Sequence, residues 1–112
     1  MKALVLSEHG DLAKLGLVKD KPVPQPGDGE VLVRVGASSF NYHDIFTVRG
    51  MPGIRVPLPV VIGLDIAGTV VEDAGEWKAG DRVMVNPLRA GIGLMGEMVD
   101  GGMEEYVVVS AD

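Results

Sequence analysis

The sequence contains no cysteine. That excludes a disulfide framework and every thiolate metal site, and with two histidines in 112 residues the remaining strong metal ligands are scarce. Positive charge is also in short supply: ten Lys and Arg face sixteen Asp and Glu, a formal net charge of −6. Such a balance disfavours nucleic-acid phosphate and anionic membrane surfaces, and no local basic cluster offsets it, so neither is expected as a partner. Long apolar runs are missing, because Gly, Pro or a charge interrupts each one well short of the ~18–20 residues of a membrane span. The opening MKALVLSEHG lacks the apolar stretch and small-residue cleavage site of a secretion signal, and a cytoplasmic location is expected.

What is plentiful is glycine, sixteen residues, with seven prolines, set among many valines. This composition favours short strands joined by tight turns over helices. An apolar fraction of 46% against 23% charged belongs to a folded globular chain, and the length fits one domain, 1–112. Residues 2–6 and 15–19 read as strands of a first hairpin, broken at Gly10 and Asp11. The connector 21–29, KPVPQPGDG, leads into 30–39, where Val31, Val33 and Val35 alternate with Leu32 and Arg34 as in a half-buried strand. Residues 40–49 carry the one helical pattern, with Asp44 as a candidate N-cap and Gly50 as the stop. Residues 51–59 hold three prolines and read as extended. A long β segment, 60–73, is interrupted by Gly63 and Gly68, where a bend, bulge or close backbone approach is expected. After a turn at 74–80, strands are expected at 81–85 and 105–109, separated by the glycine- and methionine-rich stretch 86–102. Short strands with almost no helix predict a mainly β fold, a small, partly open barrel with short helices.

Gly91, Gly93 and Gly96 match the spacing of a dinucleotide fingerprint. The match fails on context, since the fingerprint works as a tight turn delivering pyrophosphate to a helix start inside a βαβ unit. Here 86–90 separate the glycines from the preceding strand, and Asp100-Gly101-Gly102 would break any helix. A flexible loop or lobe is the expected form. Met84, Met95, Met98 and Met103 read as packing and lobe residues. Asp65 stands between Leu64 and Ile66 in an apolar strand, where a carboxylate needs a partner; Arg49, Arg55 and Arg82 are the candidates.

Taken in order, the segments KALVLSEHG, PVPQPGDGEVLVRV, FNYHD with a following Arg-Gly pair, PLPVVIGLDIAGTVVEDAG, WKAGDRVMV and GGMEEYVVVSAD resemble one known family. It is the N-terminal, GroES-like catalytic domain of the medium-chain dehydrogenase/reductase superfamily, in its zinc-independent branch. The resemblance covers nearly the whole chain and implies a GroES-like β barrel. Where zinc alcohol dehydrogenases carry a cysteine ligand this chain has Asn41, and where they carry the His of a Gly-His-Glu triplet it has Leu64. The four cysteines of their structural zinc lobe have no counterpart in 86–102. No zinc is expected at either place.

The segment Asn41-Tyr42-His43-Asp44 resembles the Asn-x-x-Asp stretch that borders the substrate and nicotinamide cleft in enzymes reducing quinones or activated alkenes such as enoyl compounds and alkenals. The implied cofactor is NADP(H) or NAD(H), held mainly by a dinucleotide-binding Rossmann domain that this sequence does not include, so the chain is not expected to be competent alone. The implied catalytic residues are Asn41, Tyr42 and His43, with Asn41 and Asp44 at the cofactor. The chemistry is coherent, because such a reduction builds negative charge on a carbonyl oxygen that neutral donors stabilise and an imidazole protonates. Structural roles stand beside these: Asn41 satisfying backbone groups, Tyr42 packing at the barrel mouth, His43 in solvent, Asp44 capping a helix. The implied partners are a small carbonyl or quinone substrate and the nucleotide-binding domain, and exposed cleft surface would favour a homodimer. Two competing functions are a noncatalytic GroES-like binding or assembly module and a zinc alcohol dehydrogenase domain that has lost its ligands.

Overall fold

A computed structural model describes residues 1–112. The first hairpin forms as expected: β1 (Ala3–Leu6) pairs antiparallel with β2 (Leu15–Val18), across a single 3-10 turn at Leu12–Lys14. Asp11 starts that turn by accepting a hydrogen bond from the Ala13 backbone N–H at 3.0 Å. The remaining elements are β3 (Glu30–Ser39), α1 (Tyr42–Arg49), β4 (Val60–Val61), β5 (Asp65–Val70), β6 (Arg82–Met84), β7 (Leu88–Arg89), β8 (Gly93–Leu94) and β9 (Tyr106–Ser110). They assemble into a three-stranded sheet β2-β1-β4, a four-stranded sheet β6-β5-β3-β9 and the small ribbon β7-β8. Every strand pairing is antiparallel. The Met103–Glu105 segment laces the first sheet to the second, through Leu4 N–H to Met103 O at 2.8 Å and Glu105 N–H to Lys2 O at 3.3 Å. The sheet therefore curls into a partly open barrel.

Two apolar clusters fill it. The larger joins Val31, Val33, Ile66, Val70, Met95, Val107 and Val109, and the smaller joins Leu6, Val48, Val56, Val60 and Ile62. Val48 is the anchor of α1, fully withdrawn from solvent in the smaller cluster. In β3 the alternation is only partly kept, since Leu32 is buried as well as Val31 and Val33.

Two expectations need correction. The segment 60–73 is not one strand: β4 pairs with β1 and β5 with β3, and the chain changes sheet at Gly63, whose φ of 103° is open to glycine. Gly68, by contrast, lies inside β5, and there the close backbone approach expected of it is found. A Cβ there would sit 2.2 Å from the Arg34 carbonyl oxygen, opposite an irregularity of β3 between Val35 and Ala37. The stretch 86–102 is not a free lobe either. It folds into the β7-β8 ribbon, drives Met95 completely into the larger cluster, and runs back along β4 through Gly101 N–H to Val61 O at 2.8 Å and Gly102 N–H to Gly63 O at 2.9 Å. Glycine and methionine look like loop composition, yet they allow this approach: a Cβ on Gly101 would lie 1.9 Å from Gly63 O. No helix follows Gly91, Gly93 and Gly96, so the fingerprint spacing forms no dinucleotide turn.

A charged cluster lies at the same seam. Lys21 Nζ is 3.0 Å from Asp100 Oδ2 and 3.4 Å from Glu104 Oε2, and Asp100 Oδ1 accepts from the Val61 N–H at 2.9 Å. Glu104 is buried with its Oε2 lacking a hydrogen-bond partner. Burial pushes its carboxyl up to about 7; Lys21 pulls the other way, and the Asp100 charge adds to the rise.

Gly68→Ala should cost on the order of 2–4 kcal/mol, because the methyl meets backbone that cannot swing aside; a urea midpoint equal to that of the parent chain would contradict this packing. A carboxyl raised in the folded state stabilises fully below its ordinary value of 4.5 and loses that stabilisation as pH rises through about 7. Glu104→Gln should accordingly be more stable than the parent at pH 8, by roughly 2–3 kcal/mol, with the gap closing towards pH 4. Urea titrations at both pH values check it.

Candidate active site

The site is built on the start of α1. Asn41, with extended backbone (φ −121°, ψ 151°), is the N-cap, and its Oδ1 accepts from the His43 N–H at 2.9 Å. Asp44 reaches back so that its Oδ2 accepts from the Asn41 N–H at 2.8 Å, completing a reciprocal capping box. Asp44 was the expected N-cap; it is instead the third residue of the helix, because in an Asn-x-x-Asp sequence the amide caps and the acid returns. Its second oxygen accepts from the Gly63 N–H at 3.2 Å, and the residue is 3% exposed. Each carboxylate oxygen thus accepts from a backbone donor, and the residue also borders the apolar hollow described below.

Asn41 Nδ2 donates to Asp65 Oδ2 at 3.3 Å, and Ser39 Oγ donates to the same oxygen at 3.4 Å. These neutral donors, and not Arg49, Arg55 or Arg82, are the partners of Asp65. As the exposed first residue of β5, it keeps water as well and needs no guanidinium. An Asn amide carries two N–H donors, so one remains for a ligand.

His43 is not the solvent-facing side chain expected from helical spacing. Its ring is 28% exposed, sits edge-on to Phe46, and hydrogen-bonds through Nε2 to Glu97 Oε2. Glu97, 7% exposed, follows β8 and lies 54 positions away. No sequence pattern pointed to it beyond its being the one acid between Ala90 and Val99.

The neighbouring residues face two ways. Leu12, Leu15, Tyr42, Ile45, Val48 and Ile62 line a hollow of about 450 Å³, with Asn41 at its edge. Tyr42 is 79% exposed and its hydroxyl has no protein partner; the Phe40 ring beside it is 71% exposed. His43 does not line this hollow. Asn41 therefore belongs to both an apolar face and a polar one, whereas Tyr42 and His43 are kept apart.

A zinc ion of alcohol dehydrogenase type does not fit these residues. Position 64 is a buried leucine, position 41 spends its amide oxygen on a helix cap, and no three His, Asp or Glu side chains converge. No helix is long and apolar enough to cross a membrane.

Residues 27–112 match the family described as the alcohol dehydrogenase GroES-like domain. The synaptic vesicle membrane protein VAT-1 homolog of Mus musculus is 40% identical over 89 residues, covering 76% of this chain and 22% of that protein. The quinone oxidoreductase of Lama guanicoe is 33% identical across 98% of this chain and 31% of its own length. Among solved structures, an NAD-dependent alcohol dehydrogenase superposes with a TM-score of 0.86 at 31% identity, over 98% of this chain and 37% of that one. The chain thus spans about a fifth to two fifths of the length of these proteins.

Removing the Asp44 carboxylate strips two backbone N–H groups, the buried one of Gly63 and the part-buried one of Asn41, of their acceptor. Asp44→Ala should destabilise the fold by roughly 2–4 kcal/mol, with early loss of amide protection at Asn41 and Gly63 in hydrogen exchange; unchanged protection at both would refute the bridging role.

Proposed function

The chain belongs to the alcohol dehydrogenase GroES-like domain family, and from that premise we propose that it is the substrate-side domain of an NAD(P)H-dependent oxidoreductase that reduces quinones or activated alkenes without zinc. One observation carries the reading: Asn41, held by a buried carboxylate, keeps an amide N–H free where an apolar hollow meets a polar cluster. A flat, weakly polar substrate would rest its ring or hydrocarbon against the hollow and offer its carbonyl oxygen to that amide, where donors placed in advance stabilise the charge that develops. The exposed Tyr42 hydroxyl is the second donor on the apolar side. His43, on the polar side, is the proton source.

A bound NADP(H) or NAD(H) supplies the hydride. This chain has no cradle for its phosphates, since Gly91, Gly93 and Gly96 belong to a ribbon and turns, so the dinucleotide is assigned to a second domain of a longer parent protein. The zinc-free reading rests on Asn41 and Leu64 standing where the alcohol dehydrogenases carry ligands and on the lack of any converging ligand set. A cytoplasmic setting and a dimer that covers the exposed Phe40 and Tyr42 rings complete the proposal.

The test is NADPH or NADH oxidation with a benzoquinone or an alkenal, using the complete polypeptide that carries this domain. Asn41→Ala should lower kcat by about tenfold or more, and wild-type turnover in that variant would remove Asn41 from the substrate site. Zinc added to the 112-residue chain should leave its melting temperature unchanged, because no preformed ligand set links metal binding to folding. A rise of several degrees would overturn the metal-free assignment.

A further inference from the structure

We propose that Glu97 is a positioning residue for His43, and that the pair delivers the proton that completes reduction on the substrate oxygen; this rests on the oxidoreductase reading above. A carboxylate 7% exposed requires a partner, and His43 Nε2 is the one Glu97 has. An ionised carboxylate only accepts, so the shared proton sits on Nε2 and the imidazole is oriented with Nδ1 as its working nitrogen. Nδ1 has no protein partner, and the ring retains 28% of its exposure, enough to reach water.

The placement of Glu97 is fixed from behind. A Cβ on the preceding Gly96 would lie 2.8 Å from Gly63 N, and Gly96 N–H donates to Val99 O at 2.8 Å, so this backbone is packed and bonded on both sides. Asn41, the proposed oxyanion donor, is two residues from His43 and receives its backbone N–H. The same cap thus ties the His43 backbone to the residue whose remaining amide N–H borders the hollow.

The step balances as follows. The hydride, with its electron pair, would be supplied to the electrophilic carbon by a dihydronicotinamide held in the second domain, which would be left as the nicotinamide cation. The substrate π electrons move to oxygen, and the oxyanion takes the Nδ1 proton of an imidazolium His43. The ring is left neutral with its Nε2–H on Glu97, and Nδ1 regains a proton from water at its exposed edge.

Two measurements test the pair. Long-range proton–nitrogen NMR of the 112-residue chain, at a pH where the ring is neutral, should show His43 held in the Nε2–H tautomer and Glu97→Gln releasing it. In the complete enzyme with NADPH and a quinone, Glu97→Gln should lower kcat by about 10–100-fold with KM within about twofold, and Glu97→Asp should restore part of the loss. An identical tautomer pattern in Glu97→Gln, or wild-type kcat in that variant alongside active parent enzyme, would overturn the dyad while leaving the oxidoreductase reading intact. A locked tautomer in an enzyme with no nicotinamide-dependent turnover would instead overturn that reading, and the catalytic role of the dyad with it.

Discussion

The buried carboxylate of Asp44 is the point on which the site depends. A charge withdrawn from water must be met by donors, and here both are backbone N–H groups: Asn41 at the helix start and Gly63 at the change of sheet. That one side chain sets the helix entry angle and ties it to the β4–β5 turn. Gly63 in turn receives the packed backbone of Gly96 and Gly101, with its carbonyl accepting from Gly102 at 2.9 Å. From Asp44 to Gly63 to Gly96, the path ends at Glu97 and returns to α1 at His43. The polar cluster is consequently a closed loop of contacts around a glycine-lined junction.

This loop separates two kinds of chemistry on one short helix. Tyr42, Ile45 and Val48 follow the i, i+3 spacing that places them over the apolar hollow, while His43 and Asn41 serve the polar side. Asn41 is the hinge between the faces because a cap residue lies outside the helical repeat and its side chain folds back over the first turn. A quinone oxidoreductase is similar in sequence over nearly the whole chain, and an NAD-dependent alcohol dehydrogenase shares the fold over the same span; under the proposed function this helix end would lie at the reacting group.

Much of the architecture was legible from residue patterns. The first hairpin, the strand beginning at Glu30, the single helix and the strand before Ser110 all appear close to where alternation and punctuation put them. Errors arose where distant chain decided the outcome. Segment 60–73 reads as one strand, yet the chain changes sheet at Gly63, while Gly68 lets β3 and β5 approach as expected. Segment 86–102 reads as a loop by composition, yet Met95 anchors it in the core.

By itself the sequence determined the mainly β class, the single short helix, the absence of thiolate ligands and the failure of the glycine fingerprint, because each follows from residues within a few positions of one another or from composition. Tertiary structure alone decided that Asp65 is served by Asn41 and Ser39, that Asp44 bridges to Gly63, and that Glu97 meets His43 across 54 positions. Local periodicity reports only which neighbours share a face of a helix or strand. The partner of a buried charge is chosen by the path of the whole backbone, and that path exists only once the barrel has closed.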